Sequence, residues 1–426
     1  MNKKNWKTFK IYKEGLVYFT ISLISILYNS FYSKECYTIE EKMTLATIFR
    51  FLRNFDYVLV YCLLSLQLSF LVYKIKKWYL EERISVRIFL LCHGIVSFLL
   101  VLIPVLRPEE FKNPYSRAAL ALFNSTLFLK FHGYLISLVC PIENHKLKSE
   151  RKEEKNKKMA SKEEKDQISL QATLRTRQQF RKEVLRSTTF FNLISFLISP
   201  TLIYSHDQGK KRPKKKKIRI KFIFFQSLAT LSVAILMYLI LKIGFSSIFN
   251  ITNVNFFHLP QIVKCIGAQS CLLWILVSLL FQFALTIVAE ITGYEDRNFF
   301  GFWTNSTNLD EFWKTWNIPV HLWSLQYIYL PCRKYIHLSR MSSAFMVFAV
   351  SAFFHEYVMF VVSGKLIWIV FVIFLLQPLL IMIGYMLSKK VRILFVRFIM
   401  YSVMFITLPG IEASYIIIMI KKKLFE

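Results

Sequence analysis

The sequence of 426 residues is poor in glycine, with 11, and in acidic side chains, with 26 Asp and Glu against 56 Lys and Arg. It is by contrast 55% hydrophobic and 16% aromatic. This apolar fraction excludes an intrinsically disordered chain and exceeds what an ordinary soluble domain buries. The excess of apolar residues requires a lipid bilayer as its solvent.

The cysteines give no sign of a disulfide scaffold or a metal site. They form no C-x-x-C pair and do not accompany the histidine spacing of a zinc site. We therefore exclude a disulfide-stapled secreted domain, interpret the cysteines as small buried apolar residues, and predict no metal site. The seven cysteines lie mostly inside or beside apolar runs, at positions 36, 62, 92, 140, 265, 271 and 332.

Long apolar runs predict an all-α polytopic membrane protein. All runs except 190–204 are long enough to cross a hydrocarbon core of about 30 Å. That run has basic flanks on both sides, which should stay in the cytosol, so we predict a re-entrant or interfacial segment there and about nine transmembrane helices elsewhere. The ten runs cover residues 15–32, 57–73, 86–106, 117–139, 190–204, 221–249, 269–293, 341–363, 366–387 and 392–419.

The net charge of +30 lies mainly between these runs, where it orients the chain and meets anionic lipid headgroups rather than nucleic acid. No small-residue cleavage site follows the first run, which predicts a signal anchor. We divide the chain into residues 1–56, with a cytosolic tail, the first span and a luminal loop, a core at 57–420, and a tail at 421–426. The core carries a charged cytosolic loop at 143–189 and an aromatic cytosolic loop at 294–340.

His355 and Glu356 are adjacent ionisable residues inside an otherwise apolar run. Such residues are costly in a membrane and often functional. At about 1.5 Å per residue, His355 lies roughly 20 Å from the end of the helix near Arg340. A neutral imidazole at that depth suits a general base, although a hydrogen bond between two helices would also explain it.

Gln377 stands at nearly the same depth as His355 in the next apolar run, after a turn at Gly364 and Lys365. Antiparallel neighbouring helices would place its amide near the histidine, where it could donate to a developing oxyanion. The alternative is a satisfied amide at the kink made by Pro378.

The segment from 295 to 323 is dense in Trp and Phe, which is typical of the membrane interface. A plain amphipathic helix would account for its rings. Its polar residues are not needed for that purpose and favour a substrate-facing role. The candidate substrate-binding residues of the loop are Trp303, Asn305, Trp316, Asn317 and His321.

Together these residues resemble the membrane-bound O-acyltransferases, in particular the branch of diacylglycerol and sterol O-acyltransferases. The similarity runs from about residue 120 to residue 377. At Phe300, Phe302 and Thr304 the chain departs from the branch's F-Y-x-D-W-W-N motif, so the loss of an acid could weaken substrate placement or mark a divergent subgroup. Three ordered blocks carry the resemblance: Asp296-Arg297-x-Phe299-Phe300-x-x-Trp303-x-Asn305, Phe312-Trp313-x-x-Trp316-Asn317-Ile318-Pro319-Val320-His321-x-Trp323, and Ser351-Ala352-Phe353-Phe354-His355-Glu356-Tyr357.

The resemblance implies helices around an intramembrane tunnel in the endoplasmic reticulum membrane. It implies an enzyme that transfers a fatty acyl group from acyl-CoA, a cosubstrate, to the hydroxyl of diacylglycerol, with no cofactor. His355 would be the general base, Asn305 and Gln377 would hold the thioester or its oxyanion, and Glu356 would orient the imidazole or face a structural partner. It also implies a homodimer or homotetramer.

Two other interpretations remain open at this point. A sterol acceptor would keep the chemistry and give steryl esters, although Gln377 and the Ile318-Pro319 pair resemble the diacylglycerol enzymes more closely. A non-catalytic lipid transporter or scaffold would use the same cavity without needing His355.

Overall fold

The computed structural model describes residues 55–106, 114–137, 179, 181–205, 218–249, 259–403, 411, 414 and 415. The regular elements of these residues are all helical, as the apolar runs predict. We number the α-helices α1 (Phe55–Leu80), α2 (Val86–Leu102), α3 (Pro114–Ile136), α4 (Phe190–Ile198), α5 (Ile220–Phe249), α6 (Leu259–Thr292), α7 (Leu309–Trp316), α8 (Ile318–Ser324), α9 (Leu330–Lys334), α10 (Arg340–Ser363), α11 (Ile369–Met386) and α12 (Lys389–Ser402). A 3₁₀ helix (Trp303–Asn305) and a π-helix (Leu325–Tyr329) complete the aromatic loop.

Six of the described helices are long and apolar enough to cross a membrane, and α2 is a shorter apolar helix of 17 residues. Each matches a predicted run. Nearly all of the predicted N-terminal region at 1–56, with its run at 15–32, lies outside the described residues, as do the tail at 421–426 and much of the charged loop. The count of nine spans therefore stays a prediction. The six spans are Val58–Leu80, Ser116–Ile136, Ile220–Met237, Leu273–Thr292, Arg340–Ser363 and Ile369–Met386.

Helix α4 is the short element predicted not to span. Its nine residues rise only about 13 Å, and it ends just before Pro200. The buried Lys130 of α3 donates hydrogen bonds from Nζ to the carbonyl oxygens of Phe196 (2.9 Å), Ser199 (2.7 Å) and Thr201 (3.0 Å). All three ammonium donors are used, and they satisfy carbonyl oxygens at the end of the helix and just beyond it. The Phe196 oxygen also accepts from Ser199 Oγ at 2.8 Å.

A second buried lysine ties α1 to α3. Lys76 is completely buried, and its Nζ donates to the Tyr134 carbonyl oxygen at 2.8 Å and to Ser137 Oγ at 3.2 Å. The same ammonium lies 3.8 Å from the ring centroid of Tyr134 and 4.1 Å from that of Tyr204. Cation–π contacts in a desolvated position are worth about 2 kcal/mol, so this charge strengthens the packing of the two helices.

Helices α10 and α11 form an antiparallel hairpin that packs on α3. Gly364 ends α10 in the left-handed conformation at φ 67°, where glycine has no steric cost. Tyr357 OH donates to the Val101 carbonyl oxygen at 3.0 Å, and Arg117 donates to the Val362 carbonyl oxygen at 3.3 Å. These contacts fix the helix that carries His355 against α2 and α3.

We expect Lys130→Met to destabilise the fold. The substitution keeps an apolar stem but removes the Lys130 donor from the carbonyl oxygens of Ser199 and Thr201, and each such buried group left unsatisfied costs about 1–3 kcal/mol. A loss of roughly 2–4 kcal/mol in total should appear as a lower midpoint of thermal unfolding in detergent micelles. Lys77→Met is the matched control, because the Lys77 side chain is partly exposed, pairs with Glu81 at 3.8 Å and lies 6.0 Å from the Tyr73 ring centroid, with no buried carbonyl among these contacts. Equal midpoints for the two variants would contradict the assigned role of Lys130.

Candidate active site

His355 lies deep in α10 with its two ring nitrogens in different environments. Nδ1 lies 2.8 Å from the Ser351 carbonyl oxygen, one turn earlier in the same helix. Because a carbonyl oxygen only accepts, the neutral ring carries its proton on Nδ1 and keeps its lone pair on Nε2. The tautomer therefore leaves Nε2 as the nitrogen able to take a proton from a substrate.

One face of the imidazole is covered by α11. The ring stacks on Phe374, with centroids 4.2 Å apart and planes at 29°. The side chain nevertheless remains exposed. His355 is thus held by one hydrogen bond and one stacked ring, while part of its surface stays open for a reactant.

Gln377 follows Phe374 by three positions on α11, so it lies one helical turn from the ring that stacks on His355. The two predicted residues thus have Phe374 as a common neighbour, one through ring stacking and the other along α11. The side chain is buried, its Nε2 donates to the Ile373 carbonyl oxygen at 3.2 Å, and its Oε1 accepts from Trp313 Nε1 at 3.3 Å.

Glu356 points away from this site, into the start of α11. Its carboxylate, which is 2% exposed, accepts hydrogen bonds from the backbone N–H groups of Ile367 (3.0 Å), Trp368 (2.9 Å) and Phe371 (3.4 Å), and from Tyr415 OH (3.2 Å). An anion at the first turn of a helix satisfies its unpaired donors and its dipole. Of the two interpretations drawn from the sequence, this geometry favours a structural partner over a group that orients the imidazole.

The entrance to the aromatic loop is held by α6. Gln282 accepts from the N–H groups of Phe299 and Phe300, both at 3.2 Å, and donates to the Arg297 carbonyl oxygen at 2.8 Å. About two turns further along α6, Glu290 pairs with Arg297 at 2.5 Å and with Arg219 at 2.9 Å. One amide and one carboxylate thus fix the direction in which the loop leaves the span.

The loop then runs closely along α7. The Gly301 N–H donates to the Thr315 carbonyl oxygen at 2.7 Å, and the Ile318 N–H donates to the Phe299 carbonyl oxygen at 3.0 Å. A Cβ on Gly301 would lie 2.9 Å from the Thr315 Cβ. Only glycine permits this approach without displacing α7.

Trp303 and Trp316 lie in an aromatic cluster rather than at an open surface. Their ring centroids are 4.9 Å apart at 84°, and Trp316 also lies 5.0 Å from Trp274 and 5.9 Å from Phe300. Trp303 is buried against Val396 and Met400 of α12. These contacts give both tryptophans a packing role, and the substrate contact predicted for them stays a prediction.

The predicted polar residues of the loop have mainly local partners. Asn317 caps α8 by accepting from the Val320 N–H at 3.3 Å, and its carbonyl oxygen accepts from the His321 N–H at 2.9 Å. Burial lowers the pKa of the His321 imidazole and the Lys314 ammonium lowers it further, so this ring is neutral at pH 7. Asn305 is half-buried at the end of the 3₁₀ helix. The hydrogen bond and the ring stack of His355 go to other residues, so these three are not its direct partners.

Trp313 is the residue of this site that sequence reasoning missed. Its ring lies 5.4 Å from Phe348 of α10 and 5.7 Å from Phe374 of α11, so it packs at the junction of the two helices that carry His355 and Gln377. The helical period could have predicted this difference. Phe312 and Trp316 share one face of α7, whereas Trp313 points about 100° away from Phe312 and so toward other neighbours.

No three His, Cys, Asp or Glu side chains converge as a metal site in the part of the chain that the structure describes. The titratable groups of the site are the exposed imidazole of His355 and, one helical position away, the buried carboxylate of Glu356. The arrangement can accept a proton at His355 Nε2 and donate a hydrogen bond from Gln377.

We expect Glu356→Ala to lower stability more than Glu356→Gln. Alanine leaves three backbone N–H groups and the Tyr415 hydroxyl without this acceptor, at about 1–3 kcal/mol for each group that stays unsatisfied, whereas glutamine retains one acceptor oxygen. Thermal unfolding in micelles should therefore rank the midpoints native, Glu356→Gln, Glu356→Ala. If both variants unfolded like the native chain and differed only in activity, the structural role would be wrong.

Comparison with known proteins adds independent evidence. Similar segments occur in diacylglycerol O-acyltransferase 1 of Dictyostelium discoideum (35% identity over 41% of this chain), the human diacylglycerol O-acyltransferase 1 (31% over 40%) and a probable sterol O-acyltransferase 1 of Schizosaccharomyces pombe (28% over 41%). The chain spans only 28%, 35% and 33% of the lengths of these relatives, respectively.

A family model covers far more of the chain than these pairwise similarities do. The model of the membrane-bound O-acyltransferase family matches residues 35–418. This match confirms the resemblance predicted from the three sequence blocks and extends it beyond them in both directions. The chain belongs to the membrane-bound O-acyltransferase family.

Proposed function

We propose that this protein transfers a fatty acyl group from acyl-CoA to the hydroxyl group of a lipid within the membrane. The observation that supports this most directly is the state of His355: Nδ1 is bound to the Ser351 carbonyl oxygen, and the exposed ring keeps the lone pair of Nε2. A base with a fixed tautomer in the middle of a span suits the removal of a proton from an alcohol that stays in the bilayer.

In the proposed reaction, Nε2 of His355 takes the proton of the lipid hydroxyl as its oxygen attacks the carbonyl carbon of the thioester. The carbon–sulfur bond then breaks, and the proton on Nε2 leaves with the CoA thiolate as a thiol. The acyl group passes directly to the acceptor, so no acyl-enzyme forms. The remaining Nε2–H of Gln377 is suited to donate to the oxygen that becomes negative in the transition state.

The surroundings of His355 support a direct transfer. Ser351, the hydroxyl residue one turn away, contributes its backbone carbonyl to the imidazole. The arrangement of a serine hydroxyl bound to the histidine, on which an acyl-enzyme mechanism depends, is not formed by this pair. We therefore assign the role of nucleophile to the lipid hydroxyl rather than to Ser351.

We propose diacylglycerol as the acceptor and triacylglycerol as the product. Two of the three relatives described above carry the name diacylglycerol O-acyltransferase 1, and one of these has the highest identity of the three. A sterol acceptor is the second candidate, because the third relative carries the name of a sterol O-acyltransferase. The two candidates share the base and the acyl donor and differ only in the alcohol.

We further propose that the protein acts in the endoplasmic reticulum membrane, with acyl-CoA arriving from the cytosol beside the aromatic loop. The guanidinium groups of Arg219 and Arg297 lie next to this loop, where both pair with the one carboxylate of Glu290. A cation at this position would attract the phosphates of CoA. Assembly as a homodimer or homotetramer stays a prediction.

We expect His355→Asn to abolish most of the acyl transfer. Asparagine can still donate to the Ser351 carbonyl oxygen but has no basic nitrogen, so the rate should fall by about 10²–10⁴-fold, the usual contribution of a general base. Purified protein in lipid vesicles would receive labelled oleoyl-CoA with either diacylglycerol or cholesterol, and the products would be separated by thin-layer chromatography.

The control is His337→Asn, which changes an exposed histidine outside the spans and keeps a residue type that tolerates its positive φ of 57°. This control should retain native activity. If the label appeared only in steryl ester, the acceptor would be a sterol instead of diacylglycerol, and the proposed mechanism would still hold. A folded His355→Asn variant with full activity would contradict the proposed base, and a folded native protein that esterifies neither lipid would overturn the proposed function for these acceptors.

A further inference from the structure

The contact between Trp313 and Gln377 joins the aromatic loop to the centre of the membrane site. Trp313 belongs to α7, which the sequence places in the loop, whereas Gln377 is buried within α11. The indole Nε1 lies 3.3 Å from the amide oxygen of Gln377. The indole ring also contacts Phe374, which in turn stacks on His355.

The chemistry of this contact determines which way the Gln377 amide is turned. An indole N–H only donates, so the atom facing Trp313 must be the amide oxygen. The Ile373 carbonyl oxygen only accepts, so the atom 3.2 Å from it must be the amide nitrogen. The two partners thus require the same orientation, and turning the amide by 180° would break both hydrogen bonds.

This orientation leaves one amide hydrogen of Gln377 for a ligand. The nitrogen carries two hydrogens, and the Ile373 carbonyl oxygen uses one of them. In the reversed orientation the group would present an oxygen lone pair instead, which repels a substrate carbonyl as negative charge develops on it. A donor aimed in advance at such an oxygen acts mainly in the transition state.

Helix α7 holds the indole in place through a second contact with α11. Asp310, three positions before Trp313, accepts a hydrogen bond from Tyr385 OH at 2.9 Å. Lys314 pairs with the same carboxylate at 2.6 Å. The helix is therefore attached to α11 at two levels, and Trp313 does not depend on a single weak hydrogen bond for its position.

We propose that Trp313 is a positioning residue that fixes the orientation of the Gln377 amide and so keeps its free N–H available to the acyl-transfer transition state. The proposal rests on the acyl transfer proposed above. It assigns to the aromatic loop a role inside the membrane site, in addition to any contact with CoA at the interface.

The test is the kinetics of Trp313→Phe, which keeps an aromatic ring between α10 and α11 and removes the indole N–H. We expect kcat to fall roughly tenfold with the KM for acyl-CoA little changed, since removal of an oxyanion donor itself costs about 10²–10³-fold. The matched control is Trp323→Phe, because Trp323 Nε1 donates to the Leu129 carbonyl oxygen at 2.8 Å, away from Gln377. Both variants lose one indole hydrogen bond, so their thermal midpoints should fall similarly while only Trp313→Phe loses turnover per folded molecule.

A double-mutant cycle with Gln377→Met separates positioning from packing. If Trp313 acts through Gln377, then Trp313→Phe should cost little additional kcat once the amide is gone. Additive losses, or a Trp313→Phe variant with native kcat and a lower midpoint, would overturn the proposal. Failure of the proposed function would look different, because the native chain would then transfer no acyl group, or His355→Asn would transfer it normally.

Discussion

The site depends above all on how Glu356 fixes the α10–α11 hairpin. This buried carboxylate joins α10 to the backbone N–H groups of Ile367 and Trp368 just before α11, to that of Phe371 in its first turn, and to Tyr415. Inside a bilayer no water can replace such an acceptor, so the start of α11 has one favourable position against α10. Phe374 and Gln377 follow on α11 within about two and a half turns of these N–H groups. The contact with Glu356 therefore also fixes their positions relative to His355.

The same requirement for internal hydrogen-bond partners explains the charged residues found within the spans. Lys130 supplies three donors to the end of α4, and Lys76 lies between two carbonyl or hydroxyl acceptors and two tyrosine rings. Neither ammonium has an acidic partner among its described contacts. Carbonyl and hydroxyl dipoles and tyrosine ring faces stabilise the two ammonium groups. The ammonium groups in turn supply donors to backbone carbonyls near the ends of helices α3 and α4, between the spanning helices. His355 differs from them because its side chain is exposed.

The tryptophans of the aromatic loop have two different structural roles, which the composition of the loop does not distinguish. Trp303 and Trp316 pack with α6 and α12 and hold the loop as a rigid cover, supported by the close approach of Gly301 to Thr315. Trp313 leaves that cluster and contacts the hairpin. Helix α7 is attached to α11 at Asp310 as well, so the loop and the hairpin are joined at two places.

The sequence by itself determined the class of the protein, six apolar runs that form helices long enough to span a membrane, one short helix, and the likeness of three blocks to one family. Hydrophobic length and local motifs are properties of neighbouring residues, which is why the sequence contains them. It also placed His355 and Gln377 at similar depths, which follows from counting residues on either side of one turn. Only the tertiary structure decided that Glu356 faces α11 rather than the imidazole, and that Trp313 rather than Trp316 reaches the site. The physical reason is that the rotation of each helix about its axis is set by contacts between residues far apart in the chain, such as Trp313 with Gln377, which no local pattern records.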